Sequence, residues 1–359
     1  MLDILEKYKN KTVLVTGHTG FKGAWLSKFL LILGANVIGY SLEPPTKPSL
    51  YEMLELDKQI VSIIGDIRDF ERLSKTFKTY NPEIVFHLAA QPIVRTSYKE
   101  PRATYETNVM GTVNVCECIR NHACVKSFLN ITTDKVYKNN EWVWGYREDD
   151  SLDGFDPYSN SKSCSELVTH SYKNSFFNEM NVSASTARAG NVIGGGDFAD
   201  NRIIPDCVRA VKNRDIISLR NPYSIRPYQH VLEPLIVYLT IAILQMDDKA
   251  KQGFYNIGPM ASDCVHTIEL VKLFAKYYGS DFKYEVNDTD HGPHEANFLR
   301  LDTSLIHAQF GYSPIWDIDE AIKQTVEWTK IWLVDDSPDA INKVVENQIK
   351  DFLNHNQMK

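Results

Sequence analysis

No run of about 18 consecutive apolar residues occurs in this 359-residue chain, and a membrane-spanning helix needs one. The opening stretch MLDILEKYKNK has no apolar segment before a cleavage site, so no secretory leader is expected. Basic residues are not in excess: 39 Lys and Arg face 46 Asp and Glu, a formal net charge of −7. A chain of that sign is a poor non-specific binder of nucleic acid or anionic membrane, so an anionic ligand must be held by a local cluster of cations. The six cysteines, Cys116, Cys118, Cys124, Cys164, Cys207 and Cys264, lack the paired spacing that holds zinc. They read as free thiols of a reducing cytoplasm. His291 and His294 flank Gly-Pro in HGPHE with no third ligand in view, and no metal is expected. Internal repeats, low-complexity tracts and long polar linkers are absent as well.

What is present is an alternation. Hydrophobic residues are 43% and charged residues 24%, which excludes a disordered or fibrous chain. Short apolar runs at 11–17, 35–41, 59–65, 83–89, 125–132 and 181–188 read as strands. Helical patterns fill the gaps near 68–79, 103–121 and 158–178, and Leu26, Phe29, Leu30 and Leu33 mark a helix after the first strand. Near-continuous apolar strands separated by helices predict an α/β fold, a doubly wound parallel sheet covered on both faces. Past residue 188 the rhythm breaks at the glycine-rich NVIGGGDFADNR, and a smaller mixed α/β lobe is expected. Residues 1–188 and 189–359 are therefore expected to form two units, the second free to cross back to the sheet. In such a sheet the ligand lies beyond the carboxyl ends of the strands.

The residues just after each strand are accordingly the candidates. Gly17, His18, Thr19, Gly20, Phe21, Lys22 and Gly23 join the first strand to the first helix. Glycines there let a pyrophosphate approach the backbone at a helix N-terminus. Asp66 and Ile67 follow the third strand, where the carboxylate can accept from an adenine amino group or cap the helix starting at Arg68. Leu88, Ala89, Ala90 and Gln91 follow the fourth and are mostly small enough for a flat cofactor to lie against. Asn108, mid-helix, is structural or catalytic.

Tyr158 and Lys162 stand four apart and so share one helical face. A free phenol has a pKa near ~10, and bringing it to ~7 takes about three units, roughly 4 kcal/mol. A nearby ammonium and a cationic nicotinamide together can supply that. Thr132, Thr133, Asp134 and Lys135 follow the fifth strand. A hydroxyl there can bond a sugar, and a buried carboxyl can donate a proton, unless the pair Asp134 and Lys135 is simply solvated.

Taken in order, TGHTGFKG, GDIRD, HLAAQ, TNVMGT, TTDKVY and YSNSK resemble the extended short-chain dehydrogenase/reductase superfamily over nearly the whole chain. Within it the chain is similar to the nucleotide-sugar 4,6-dehydratases, and GYSLEPPTKPSLYE, GNVIGGGDFADNRIIPD and RPYQHV point to the cytidine-linked members. The resemblance implies a Rossmann fold, NAD as cofactor, CDP-glucose as substrate and a homodimer or homotetramer. It implies cytoplasmic synthesis of a 3,6-dideoxyhexose for a surface polysaccharide such as lipopolysaccharide O-antigen. It implies Tyr158 as the proton acceptor, Lys162 as its partner, Thr133 on the C4 oxygen and Asp134 as the acid at C6. Lys135 stands where thymidine-linked members carry glutamate. Tyr40-Ser41-Leu42 ends the second strand without the usual acidic residue, and no arginine follows to hold a 2′-phosphate. Asn191, Arg202, Arg209 and Arg226 are implied substrate contacts, and His230 either contacts ligand or braces its loop. A 4-epimerase or decarboxylase of the superfamily, another nucleotide-sugar dehydratase, and a non-catalytic NAD-binding sensor are the alternatives.

Overall fold

The computed structural model describes residues 2–219, 221–287 and 299–357. Strands β1 (Thr12–Thr16), β2 (Asn36–Ser41), β3 (Val61–Ile64), β4 (Ile84–His87), β5 (Ser127–Ile131) and β6 (Ser183–Ala189) fall on the six predicted runs. With β7 (Phe254–Ile257) they form one sheet in the order β7-β6-β5-β4-β1-β2-β3. Every pairing in it is parallel. Helices α1 (Phe21–Ile32), α2 (Phe70–Tyr80), α3 (Gly111–Asn121) and α4 (Pro157–Tyr172) connect the strands.

Because strand side chains alternate, each strand feeds two cores. Val13 and Val15 pack with Trp25 and Phe29 of α1, whereas Leu14 packs with Phe77 of α2 and Val115 of α3. The strand order reverses direction between β1 and β4, which opens a crevice at their carboxyl ends. The helical run ahead of α3 contains a π-turn at Glu106–Met110, centred on the buried Asn108.

The second half of the chain contributes more to the sheet than its sequence rhythm predicts. Helices α5 (Ile203–Asn213), α6 (Leu232–Asp247), α7 (Ile318–Val334) and α8 (Pro338–Gln357) follow β6. Nearly every residue of α6 is buried, and the Ser127 hydroxyl of β5 donates to its Ala242 carbonyl at 2.7 Å. A helix apolar on all sides has no stripe for a periodicity search to find. The strand β7 then joins the edge of the sheet beside β6. Short pairs complete the mixed lobe: Val192–Ile193 with Gln229–His230, Ile225–Pro227 with Cys264–His266, and Ile216–Leu219 with Lys283–Val286.

The six cysteines are free thiols. Among the described residues no group of His, Cys, Asp and Glu could hold a metal, and His291 and His294 lie outside the described residues. No described helix is long and apolar enough to cross a membrane.

Candidate active site

The glycine loop closes one wall of the crevice. Gly17 has φ +79°, and a Cβ there would stand 2.8 Å from the Ala89 nitrogen. At Gly23 a Cβ would stand 2.1 Å from the Gly17 carbonyl. Glycine is thus required at both places, so that the loop can lie flat against Leu88 and Ala89 and α1 can start directly behind it. A Cβ at Gly20 would have only the Gly17 carbonyl, at 3.5 Å, within 4 Å. Gly20 is also the N-cap of α1 and provides no side-chain cap, which leaves the first amides of the helix free for an anion. This cradle fits the pyrophosphate of a dinucleotide.

His18 does not present its ring to that cradle. Its Nε2 is 2.7 Å from the Ser62 hydroxyl, Tyr51 packs against it edge-on, and burial lowers its pKa to about 4. Any cofactor contact at this position is left to its backbone. The Thr19 hydroxyl donates to the Leu42 carbonyl at 2.9 Å and so fastens the loop to the end of β2. Asp66 is held by Arg68, whose backbone amide and guanidinium both donate to it, and the cap of α2 is Asp69 instead. Asn108 accepts from the Gln91 amide at 2.8 Å and donates to the Ser161 hydroxyl at 2.9 Å. It fastens the end of β4 to α4, a structural role.

Asp156 caps α4 by accepting from the Ser159 amide at 3.0 Å, and Pro157 begins the helix. That start places Tyr158 at the mouth of the sheet. The Thr133 side chain lies near its hydroxyl. Burial pushes the phenol up to about 12, with Thr133 and Arg202 pulling down and Asp134 adding to the rise. One turn on, Lys162 donates to the Ile131 carbonyl at 3.0 Å, and burial lowers its pKa to about 8 while Glu166 opposes the fall. Thr132 turns its hydroxyl away, to Glu166 in the interior.

The turn Asp134–Val136 carries the acid. Asp134 is 1% exposed, so it is not the solvated loop residue that its sequence also allows. Its Oδ1 accepts from Thr133 at 2.9 Å and from Lys135 Nζ at 3.3 Å. Its Oδ2 is buried with no partner among the described residues. A carboxyl oxygen placed so is ready for a ligand hydroxyl.

Sequence reasoning placed Lys22 in the glycine loop but gave it no role of its own. It sits on the first turn of α1, and its ammonium approaches the Tyr238 hydroxyl of α6 at 3.4 Å. Burial, together with Arg202 and Lys162, lowers its pKa to about 7 against the opposing pull of Asp134. Its signal was chemical: a lysine in TGHTGFKG directly after an apolar residue that opens a buried helix.

The expected substrate residues divide. Arg202 faces the site, since its charge acts on Tyr158 and Lys22, and it pairs with Asp197 at 3.2 Å. Arg209 instead donates to the Phe198 and Ala199 carbonyls and pairs with Asp206, which pins the glycine-rich loop. Arg226 is buried and donates to the Ile225 carbonyl at 3.0 Å. Asn191 accepts at its carbonyl from the Gln229 amide at 3.0 Å. His230 is fully buried between Trp25 and Trp316, and burial lowers its pKa to about 3. Of the two roles open to it, this packing matches bracing.

A family model described as GDP-mannose 4,6 dehydratase matches residues 14–325. The chain belongs to this family. It is 48% identical over 333 residues to the CDP-glucose 4,6-dehydratase of Salmonella typhimurium, covering 91% of this chain and 92% of that protein. The fold of family members recurs in solved structures of lower identity. The UDP-glucose 4-epimerase of Stenotrophomonas maltophila, with bound NAD and formylated UDP-arabinopyranose, matches 89% of this chain and 98% of its own at TM-score 0.77 and 19% identity. The dTDP-glucose 4,6-dehydratase of Bacillus anthracis, in complex with NAD, matches 89% and 96% at TM-score 0.72 and 19% identity. These two structures show the architecture: a seven-stranded parallel sheet with helices on both faces.

Proposed function

We propose that this chain is a CDP-glucose 4,6-dehydratase, an NAD-dependent lyase forming CDP-4-keto-6-deoxyglucose. The observation that carries the reading is the 48% identity, along nearly the whole of both chains, to a protein of that activity. The site chemistry agrees with it. Gly17, Gly20 and Gly23 would hold the dinucleotide's pyrophosphate, Asp66 and Ile67 its adenine end, and Leu88 to Gln91 its inner face. NAD, when bound, accepts hydride at the sugar C4 and returns it at C6.

The residues of the chain move the protons. Tyr158 takes the proton of the C4 hydroxyl, and Thr133 holds that oxygen. Lys162 and the cationic nicotinamide favour the phenolate that the buried apo site disfavours. The resulting C4 ketone acidifies the C5 hydrogen. As a base takes that proton, to be replaced at C5 once C6 is reduced, Lys135 faces the developing enolate charge, and Asp134 gives its proton to the departing C6 hydroxyl, which leaves as water. An epimerase inverts C4 and needs no acid at C6, so it has no use for Asp134 in this role.

Arg202 supports a diphosphate directly. Arg226 and Asn191 stand in the same lobe, and residues 189–359 supply most of the nucleotide-sugar contacts. Exposed apolar residues at Tyr98, Met110 and Leu167 lie on the helices ahead of α3 and on α4, and support a homo-oligomer formed through them. A cytoplasmic location agrees with a nucleotide-sugar substrate.

Incubation with a panel of nucleoside-diphosphate glucoses tests the reading. A 4-keto-6-deoxy product absorbs strongly in the ultraviolet in base, and an epimer does not. CDP-glucose should give this signal above the others; its absence with CDP-glucose would overturn the assignment.

A further inference from the structure

Two successive residues at the end of β5 are tied to two successive turns of α4. The Ile131 carbonyl accepts from Lys162 at 3.0 Å. The Thr132 hydroxyl donates to Glu166. Thr133, next along, acts on Tyr158 and opposes the rise of its pKa. Tyr158, Lys162 and Glu166 are each four residues apart and form one stripe along the helix.

Glu166 is 1% exposed and lies behind the site. Its Oε2 accepts from Thr186 at 2.6 Å and from Arg188 Nη2 at 2.9 Å. Arg188, on β6 and 2% exposed, also donates to the Tyr137 hydroxyl at 2.7 Å and the Glu148 carbonyl at 2.9 Å. Apolar residues of similar volume stabilise a core as well as such a buried ion pair or better, so its presence calls for a role beyond packing.

We propose, on the reading of Tyr158 and Lys162 as the proton-transfer pair, that Glu166 is a positioning residue of this active site: through Thr132 it registers the end of β5 on α4, and it sets its carboxylate one turn behind Lys162 on the same face. The groups acting around Lys162 agree. From α1, Lys22 repels it. From β4, His87 is held neutral, its pKa lowered by burial and by Lys162 to about 3. Tyr158 on α4 is a neutral phenol at rest. Glu166 is the negative charge opposing Lys162's loss of its proton.

Glu166→Gln alone would leave Arg188 buried without a counter-charge and threaten the fold. The double variant Glu166→Gln/Arg188→Gln removes both charges and keeps both shapes. The measurement is single-turnover reduction of the cofactor by CDP-glucose in NAD-loaded enzyme, followed from about pH 6 to about pH 10. The double variant should fold, keep its KM, oxidise C4 more than about tenfold slower at neutral pH, and show the acid limb of its pH profile at higher pH. Glu166→Asp, which keeps the charge, should recover part of the rate with the limb unmoved. A folded double variant with the wild-type rate and limb would overturn the proposal. So would a double variant that does not fold, because the pair would then be an element of the fold alone. Wild-type enzyme that fails to reduce its cofactor with CDP-glucose would instead remove the dehydratase reading, and Glu166's role with it.

Discussion

Lys135 donates to Asp134 Oδ1 across 3.3 Å, yet its side chain is 29% exposed while that of Asp134 is 1% exposed. The ammonium therefore stands at the mouth and the carboxyl in the interior, each facing a different stage of elimination. Asp134→Asn cannot donate a proton at C6 but keeps its size. It should slow elimination far more than C4 oxidation, so that reduced cofactor and a 4-keto sugar accumulate. Lys135→Met should slow loss of the C5 proton. Single-turnover kinetics with substrate deuterated at C5 checks both. Wild-type exchange and product formation in both variants would remove these roles and favour the epimerase.

Tyr158 is a buried phenol pushed up to about 12 without cofactor. In the proposed mechanism Lys162 and the cofactor's positive charge would together bring its pKa down. Tyr158→Phe should abolish the first hydride transfer by more than about 100-fold while NAD binding persists. Wild-type protein at about pH 8 should gain a phenolate ultraviolet difference band on adding NAD, and the variant should show none.

Lys22 should make the chain less stable at neutral pH than at alkaline pH. Its pKa is near 7 folded, lowered chiefly by burial from the ordinary lysine value of 10.5. Between those values the unfolded chain holds a proton that the folded chain has lost, so this contribution to stability rises with pH across that window. Below about pH 7 both states are protonated and the full cost of burying the ammonium remains. Lys22→Met should therefore raise the thermal midpoint of cofactor-free protein. The gain should be largest near pH 6.5 and shrink toward pH 10, as differential scanning calorimetry at the two pH values would read. A constant gain would assign the effect to packing instead.

Sedimentation should find more than one chain per particle at micromolar concentration. Leu167, 52% exposed on α4, lies on the face expected to be covered. Leu167→Arg should shift the particle toward a single chain, whereas wild type sedimenting as a single chain would refute assembly.

The sheet was legible because most of its strands are short, largely apolar runs bounded by breakers, as burial on both faces demands. The positions of the glycine loop, Tyr158, Lys162 and Thr133 at the mouth of the sheet were legible because each follows a strand or keeps helical spacing. Helix α6 and β7 were not, since an all-apolar helix and a four-residue edge strand carry no distinctive period.

Local pattern thus determined which residues reach the mouth of the sheet. Tertiary structure decided what each does there. It turned the rings of His18 and His230 inward, away from solvent. It gave Asp66 to Arg68 and Arg209 to a loop carbonyl. It brought Lys22 from the first helix to act on Lys162 of the fourth. Spacing along a chain fixes only neighbours three or four residues apart, whereas charge acts through space. In a site shielded from water, cations more than a hundred residues apart in sequence set each other's protonation.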